Sequence, residues 1–68
     1  MNRLYLSKDV YSEDSVKKTC FVYREYAQIK FKQKNSHIEL SFDRCKYDPD
    51  LTMKEFENYL ISVENSKK

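Results

Sequence analysis

The stretch AQIKFKQKNSHIELSFD, residues 27–43, decides the fold of this chain. Its first half alternates Ala, Ile and Phe with polar residues, and its second half alternates Ile, Leu and Phe in the same way. A period of two is typical of strands that bury one face. The polar residues 34–37 separate the two halves and favour a turn. The stretch therefore predicts a β-hairpin.

The register of this hairpin follows from a loop centred on Asn35 and Ser36. The loop has two or four residues, and four are favoured because a tight type I′ turn prefers a glycine that the chain lacks. In this register apolar residues face apolar residues and a lysine faces a glutamate, which makes the pairing internally consistent. The expected pairs are Phe31 with Leu40, Ile29 with Phe42, and Lys32 with Glu39.

A helix is predicted before the hairpin. Ser12 can cap its free N–H groups, and the acidic residues that follow suit the positive end of the helix dipole. Val16, Cys20 and Tyr23 then form an apolar stripe at helical spacing. The period changes from helix to strand near Tyr26.

A second helix is predicted after the hairpin. Residues 52–55, TMKE, match a capping box, and Leu51 and Phe56 occupy the positions of a hydrophobic staple. The preceding residues 48–50, DPD, are expected to form a turn. The apolar side chains that repeat at helical spacing are Phe56, Tyr59, Leu60 and Val63.

Residues 3–7, RLYLS, predict a short strand, with an extended arm as the alternative. The resulting order β-α-β-β-α predicts a small two-layer α+β domain over residues 1–68, with residues 65–68 frayed. It corresponds to a ferredoxin-like unit that lacks its last strand. Both helices are expected on one face of an antiparallel or mixed sheet, with the first strand antiparallel to the third.

The composition excludes several functional classes. The 68 residues carry a formal net charge of +2 with interspersed signs, which disfavours nucleic acid as a partner. Glycine is absent, and P-loop, Rossmann and GxSxG motifs all need it. We find neither a long apolar run nor a signal-peptide pattern, so we expect a cytoplasmic protein without a membrane span.

The reactive side chains point to structural roles. Two cysteines and one histidine are too few for a tetrahedral zinc site, and we expect no metal, cofactor or catalytic residue. Cys20 lies on the apolar stripe and is expected to be buried. Cys45 is expected to be a semi-exposed structural thiol, and His37 a polar turn residue.

The six tyrosines exceed what so small a core can bury. Tyrosine is enriched at interfaces because its ring is apolar and its tip is polar, so exposed tyrosines predict an interaction surface. An equally favoured alternative is that these tyrosines border the core, with their hydroxyl groups in contact with water. The lysines of IKFKQK alternate with core residues and point to the opposite face. The candidate interaction surface comprises Tyr5, Tyr26, Tyr47, Lys30 and Lys32.

The segment LYLSKDVYSEDSVKKTCFVYREYAQIKF, followed by a hairpin and by EFENYLISVENSKK, resembles the small D protein of the His-Xaa-Ser systems. The resemblance covers residues 4 to about 63. It implies a bacterial accessory protein encoded beside radical-SAM enzymes that modify a ribosomally made peptide with His-Xaa-Ser repeats. A radical-SAM enzyme or its precursor peptide is then the implied partner. The matching residues are Tyr11, Val16, Lys18, Tyr23, Glu55, Phe56, Asn58 and Leu60.

These features favour a non-enzymatic binding or accessory protein that engages a peptide or a partner protein. Strand addition at an open sheet edge uses main-chain hydrogen bonds and needs no special side chains. Residues 3–7 or 27–33 would supply that edge. A structural homodimer is the alternative function, and a weak nucleic-acid binder that uses Lys30, Lys32 and Lys34 is the second alternative.

Overall fold

The computed structural model describes residues 2–66 and has the predicted order β-α-β-β-α. The α+β class is therefore confirmed. Residues 67 and 68 of the tail that the sequence predicts to fray lie outside the described residues. The elements are β1 (Asn2–Ser7), α1 (Glu13–Val22), β2 (Gln28–Gln33), β3 (His37–Asp43) and α2 (Pro49–Asn65).

The sheet has the strand order β1-β3-β2 and is antiparallel throughout. The N-terminal segment is a strand and not an extended arm, and it pairs with β3 as expected. The predicted hairpin register is confirmed for every pair that was named. These pairs are Phe31 with Leu40, Ile29 with Phe42, and Lys32 with Glu39.

The loop of the hairpin closes without a type I′ turn. The N–H of Lys34 donates to the carbonyl of His37 over 2.9 Å, which leaves Asn35 and Ser36 at the tip. A type I′ turn needs positive φ at both central residues. Within residues 2–66 only Arg44 has a positive φ, of 52°. The hairpin therefore avoids the conformation for which glycine would be required.

The core lies between one face of the sheet and both helices, as the sequence predicts. Alternate side chains of β3 are fully buried, and Phe42 meets Phe56 of α2 edge to face with ring centres 5.2 Å apart. Burial of this kind supplies most of the driving force for folding in so small a chain. The buried hydrophobic residues are Leu6, Val16, Ala27, Ile38, Leu40, Phe42, Phe56 and Leu60.

Helix α1 begins at the predicted cap and ends earlier than expected. The Ser12 hydroxyl accepts the N–H of Ser15 over 3.3 Å. The sequence places the change from helix to strand near Tyr26, whereas α1 ends at Val22 with Tyr23 as its C-cap. The Tyr23 carbonyl accepts the N–H of Tyr26 over 2.9 Å, so residues 23–26 form a separate turn. Aromatic and β-branched residues at this end of the helix weaken helix propensity, which favours the early stop.

Helix α2 begins three residues before the predicted capping box, so that prediction is wrong. Asp48 is the N-cap, and its Oδ1 accepts the N–H of Asp50 over 3.2 Å. Pro49 occupies the first helical turn, where its fixed φ and missing N–H are tolerated. Thr52 is buried within the helix and donates its hydroxyl to the Asp48 carbonyl over 2.9 Å. Leu51 is 51% exposed, in contrast to the expected staple onto the core.

The C-terminal end of α2 is tied to the N-terminal end of α1. Both the backbone N–H and the hydroxyl of Ser12 donate to Oε1 of Glu64, over 2.6 and 2.7 Å. A carboxylate near a helix N-terminus is also favoured by the helix dipole. Burial, together with the carboxylates of Glu57 and Glu64, raises the pKa of Tyr11 beside this contact. Glu64 therefore stabilises the antiparallel packing of the two helices.

The substitution Glu64→Ala is expected to lower the free energy of unfolding by about 1–3 kcal/mol, because the N-cap loses two charge-assisted hydrogen bonds. Urea denaturation followed by circular dichroism measures this loss. The control Glu57→Ala lies on the same helix and is expected to change stability by at most about 0.5 kcal/mol. Equal losses in the two variants would show that the contact with Ser12 contributes nothing.

Candidate functional site

The five residues of the predicted interaction surface fall on two separate parts of the molecule. Tyr5, Lys30 and Lys32 belong to the sheet face that the helices leave uncovered, as the strand registers require. Tyr26 and Tyr47 contact each other near the start of α2. All three tyrosines are exposed, to 58%, 41% and 58% in chain order. The structure thus divides the predicted surface into two candidate sites.

The first site is the open face, which we define as the uncovered sheet face that carries Arg3, Tyr5, Lys30, Lys32, His37, Glu39 and Ser41. Glu39 is central in this row and pairs with Arg3 over 3.6 Å. The ring of Tyr5 contacts the His37 imidazole edge-on at 5.8 Å. The carboxylate of Glu39 is therefore paired with the guanidinium of Arg3 on the neighbouring strand. The open face thus combines charges of both signs with an exposed aromatic ring.

The outer edge of β1 borders the open face. The N–H of Lys8 donates to the Ser36 carbonyl over 3.2 Å, and this pair continues the register of β1 with β3. In an antiparallel ladder, residues alternate between hydrogen bonding to the neighbouring strand and pointing away from it. Leu4 and Leu6 therefore bond to β3, while the N–H and C=O of Tyr5 point outward. Within residues 2–66 no strand pairs with this outer side.

The outer edge of β2 is better protected. By the same alternation, the bond from Lys34 to His37 means that Ile29, Phe31 and Gln33 direct their main-chain groups outward. The strand carries alternate lysines along its solvent face, and lysines on an edge oppose strand addition. β1 has a single cation in Asn2–Ser7, and that cation is directed inward to Glu39. The edge of β1 is therefore more accessible to an added strand.

The second site is the tyrosine groove, a cleft of about 360 Å³. The turn after α1 supplies two of its rings, and the loop between β3 and α2 supplies the third. The N–H of Lys46 donates to the Tyr26 carbonyl over 2.7 Å and so holds these two segments together. The ring centres of Tyr26 and Tyr47 consequently lie 6.2 Å apart. The groove is lined by Tyr23, Tyr26, Tyr47, Leu51, Thr52 and Glu55.

Tyr23 links the groove to the core. Its hydroxyl donates to the Glu55 carbonyl over 3.2 Å, and its ring meets that of Phe56 edge-on at 5.5 Å. Burial first, and then the carboxylate of Glu55 and the neighbouring tyrosines, raise the pKa of Tyr23. Sequence reasoning missed Leu51 and Glu55 as site residues because it assigned both to the start of α2. Recognition of Asp48 as the cap would have placed them one turn apart on the helix.

Neither cysteine lines the tyrosine groove or belongs to the open face. Cys20 is partly buried against the core instead of fully buried, and burial raises its pKa to about 11. Cys45 is partly buried, in agreement with the semi-exposed position that the sequence predicts. Residues 2–66 contain no cluster of three or more side chains that could hold a metal ion. No helix in the same range has the length and apolar character needed to cross a membrane.

Comparison with known proteins identifies a family. A family model described as His-Xaa-Ser system protein HxsD matches residues 6–64. No curated protein and no solved structure matches the chain significantly. The matched range begins at Leu6, near the end of β1, and ends in the last turn of α2. It covers β2, β3 and all residues of the tyrosine groove, but only the last two residues of β1.

The raised pKa of Cys20 predicts slow alkylation in the folded protein. In a Cys45→Ser variant at pH 8, about one thousandth of the Cys20 thiol is ionised at a pKa of about 11. Iodoacetamide labelling followed by mass spectrometry is expected to be at least about a hundredfold slower in buffer than in urea, where the thiol recovers its ordinary pKa. Equal rates in the two conditions would contradict the burial of this thiol.

Proposed function

The chain belongs to the HxsD family of His-Xaa-Ser system proteins, and from this membership we propose that it is a non-enzymatic accessory protein that binds an extended peptide along β1. The family implies an accessory role in such a system. The bound peptide is the precursor peptide with His-Xaa-Ser repeats, which the protein presents in the cytosol to a modifying enzyme of the radical-SAM class.

The outward main-chain groups of Tyr5 carry this proposal. The strand order leaves one side of β1 without a neighbour among residues 2–66. This is the side on which a ferredoxin-like unit would place its last strand, and α2 packs against β1 next to it. An added strand hydrogen bonds to an edge through its main chain, so binding requires no catalytic or charged residue. The six residues of Asn2–Ser7 suit a peptide segment of similar length.

The side chains near this edge fit a peptide that carries histidine. Tyr5 already contacts the imidazole of His37, which shows that its ring accommodates an imidazole edge at 5.8 Å. Tyr5 is 58% exposed, so part of its ring stays accessible next to the outer edge of β1. Alternate residues of that strand would lie on the open face, beside the side chains of Arg3 and Tyr5 on β1. These contacts supply sequence preference, while the main chain supplies affinity.

The chemistry of the side chains supports the non-enzymatic part of the proposal. A cysteine nucleophile needs a lowered pKa, whereas burial raises that of Cys20 to about 11. The imidazole of His37 lies on the open face against the ring of Tyr5 and is partly exposed to solvent. Catalysis is therefore assigned to the partner enzyme and peptide binding to this chain.

A homodimer through the same edge is the second candidate function. Two copies of β1 can pair antiparallel and join two three-stranded sheets into one of six strands. The same observation favours this alternative, since the unpaired side of β1 accepts any extended chain. The occupant of the edge therefore has to be identified in solution.

The substitution Tyr5→Pro tests the edge directly. Proline removes the outward N–H of Tyr5 and no bond to β3, so the sheet tolerates it at this position. The affinity for a synthetic peptide of His-Thr-Ser repeats, measured by fluorescence anisotropy, is expected to fall about tenfold. Tyr5→Ala removes the ring and keeps the N–H, and it is expected to retain more of the affinity.

The matched control is Gln33→Pro, which removes an outward N–H from β2. It is expected to leave the affinity within about twofold of the unchanged chain, and a loss confined to this variant would contradict binding at β1. Undiminished binding by a folded Tyr5→Pro variant would also overturn the proposal. Analytical ultracentrifugation distinguishes the homodimer. If the unchanged chain is a dimer that binds no peptide, and Tyr5→Pro is a monomer, then a second copy of the chain and not a peptide occupies the edge of β1.

A further inference from the structure

The tyrosine groove has features that peptide binding along β1 does not use. Its residues come from the turn after α1, the loop after β3 and the first half of α2, and none belongs to β1. We propose that this groove binds the guanidinium group of an arginine side chain that a partner polypeptide supplies. The proposal stands independently of strand addition, because the two sites share no residue.

The rings of the groove provide faces that attract a cation. The centres of Tyr23 and Tyr26 lie 5.6 Å apart, and those of Tyr26 and Tyr47 lie 6.2 Å apart. Tyr26 and Tyr47 are tilted by 37° to each other and are both exposed. The negative face of a tyrosine ring attracts a cation that lies within about 6 Å of its centre. Three tyrosines line one cleft, so a single planar cation there has more than one ring within reach.

Glu55 adds an unmatched negative charge. Its side chain is exposed at the wall of the groove. Within residues 2–66 its carboxylate forms no ion pair and no hydrogen bond, since Tyr23 bonds to its main-chain carbonyl. A guanidinium stacks on aromatic rings and donates two parallel hydrogen bonds to a carboxylate, whereas an ammonium does neither as well. The combination therefore selects arginine over lysine.

The chain's own cations already contact rings at this end of the molecule. Lys46 places its Nζ 5.8 Å from the ring centre of Tyr47. Arg24 places its guanidinium carbon 3.8 Å from the ring centre of Phe21, and neither of these residues lines the groove. The volume of about 360 Å³ is at the lower end of the range for ligand sites, which suits a side chain better than a large cofactor.

The test uses N-acetyl-arginine methylamide as the probe and the citrulline analogue, which is neutral and of similar shape, as its control. The ring resonances of Tyr26 and Tyr47 are followed by NMR during titration of the folded chain. The arginine probe is expected to shift both in a saturable manner, and the citrulline probe is not. Glu55→Gln is expected to weaken the affinity about tenfold, because it removes the charge and keeps the shape. The control Glu57→Gln removes a charge from the same helix outside the groove and is expected to change nothing.

Three results would overturn the proposal. Equal shifts with the citrulline probe would show that the charge is not recognised. An unchanged affinity in Glu55→Gln would show that the carboxylate does not contribute to binding. Unshifted ring resonances of the tyrosines at saturating probe would show that the groove does not bind arginine. None of these outcomes bears on binding along β1, which Tyr5→Pro tests separately.

Discussion

The fold depends on the burial of one face of β3. Ile38, Leu40 and Phe42 are at most 1% exposed, and both helices pack over them. The main-chain N–H and C=O groups of so buried a strand need hydrogen-bonding partners on both edges, which β1 and β2 provide. With only two helices to cover the sheet, the opposite face stays open and both outer edges belong to short strands. The surfaces available for binding are thus a direct consequence of how the core is built.

Helices α1 and α2 contact each other differently at the two ends of the pair. At one end Glu64 accepts two hydrogen bonds from Ser12, and at the other end Tyr23 donates its hydroxyl to the main chain of Glu55. The first contact holds the two helices together through a partly buried carboxylate. The second leaves a cleft, because the neighbouring loops hold Tyr26 and Tyr47 apart from the core. The molecule therefore has a tightly connected end and an end with an aromatic groove.

Much of the fold could be predicted because a period of two constrains a hairpin strongly. A shift of the register by one residue would turn Phe31 or Leu40 toward solvent, so the pairing was determined by burial alone. The start of α2 was not determined in this way, because two capping signals lie close together. Thr52 matches a capping box, but the proline after Asp48 cannot continue a preceding strand and suits the first helical turn. The tyrosine groove joins three segments that are distant in sequence. Its tyrosines could be singled out one by one, whereas their grouping around Glu55 depends on tertiary contacts.

Strand addition at β1 is tested most directly by amide hydrogen exchange at Tyr5. This N–H points away from β3, so it should exchange rapidly in the free protein and at least about tenfold more slowly when a His-Xaa-Ser peptide is bound. The N–H of Gln33 on the opposite edge should exchange at the same rate in both states. Protection at Tyr5 alone is the result that we predict. Unchanged exchange at Tyr5 with saturating peptide, or protection at Gln33 instead, would contradict it.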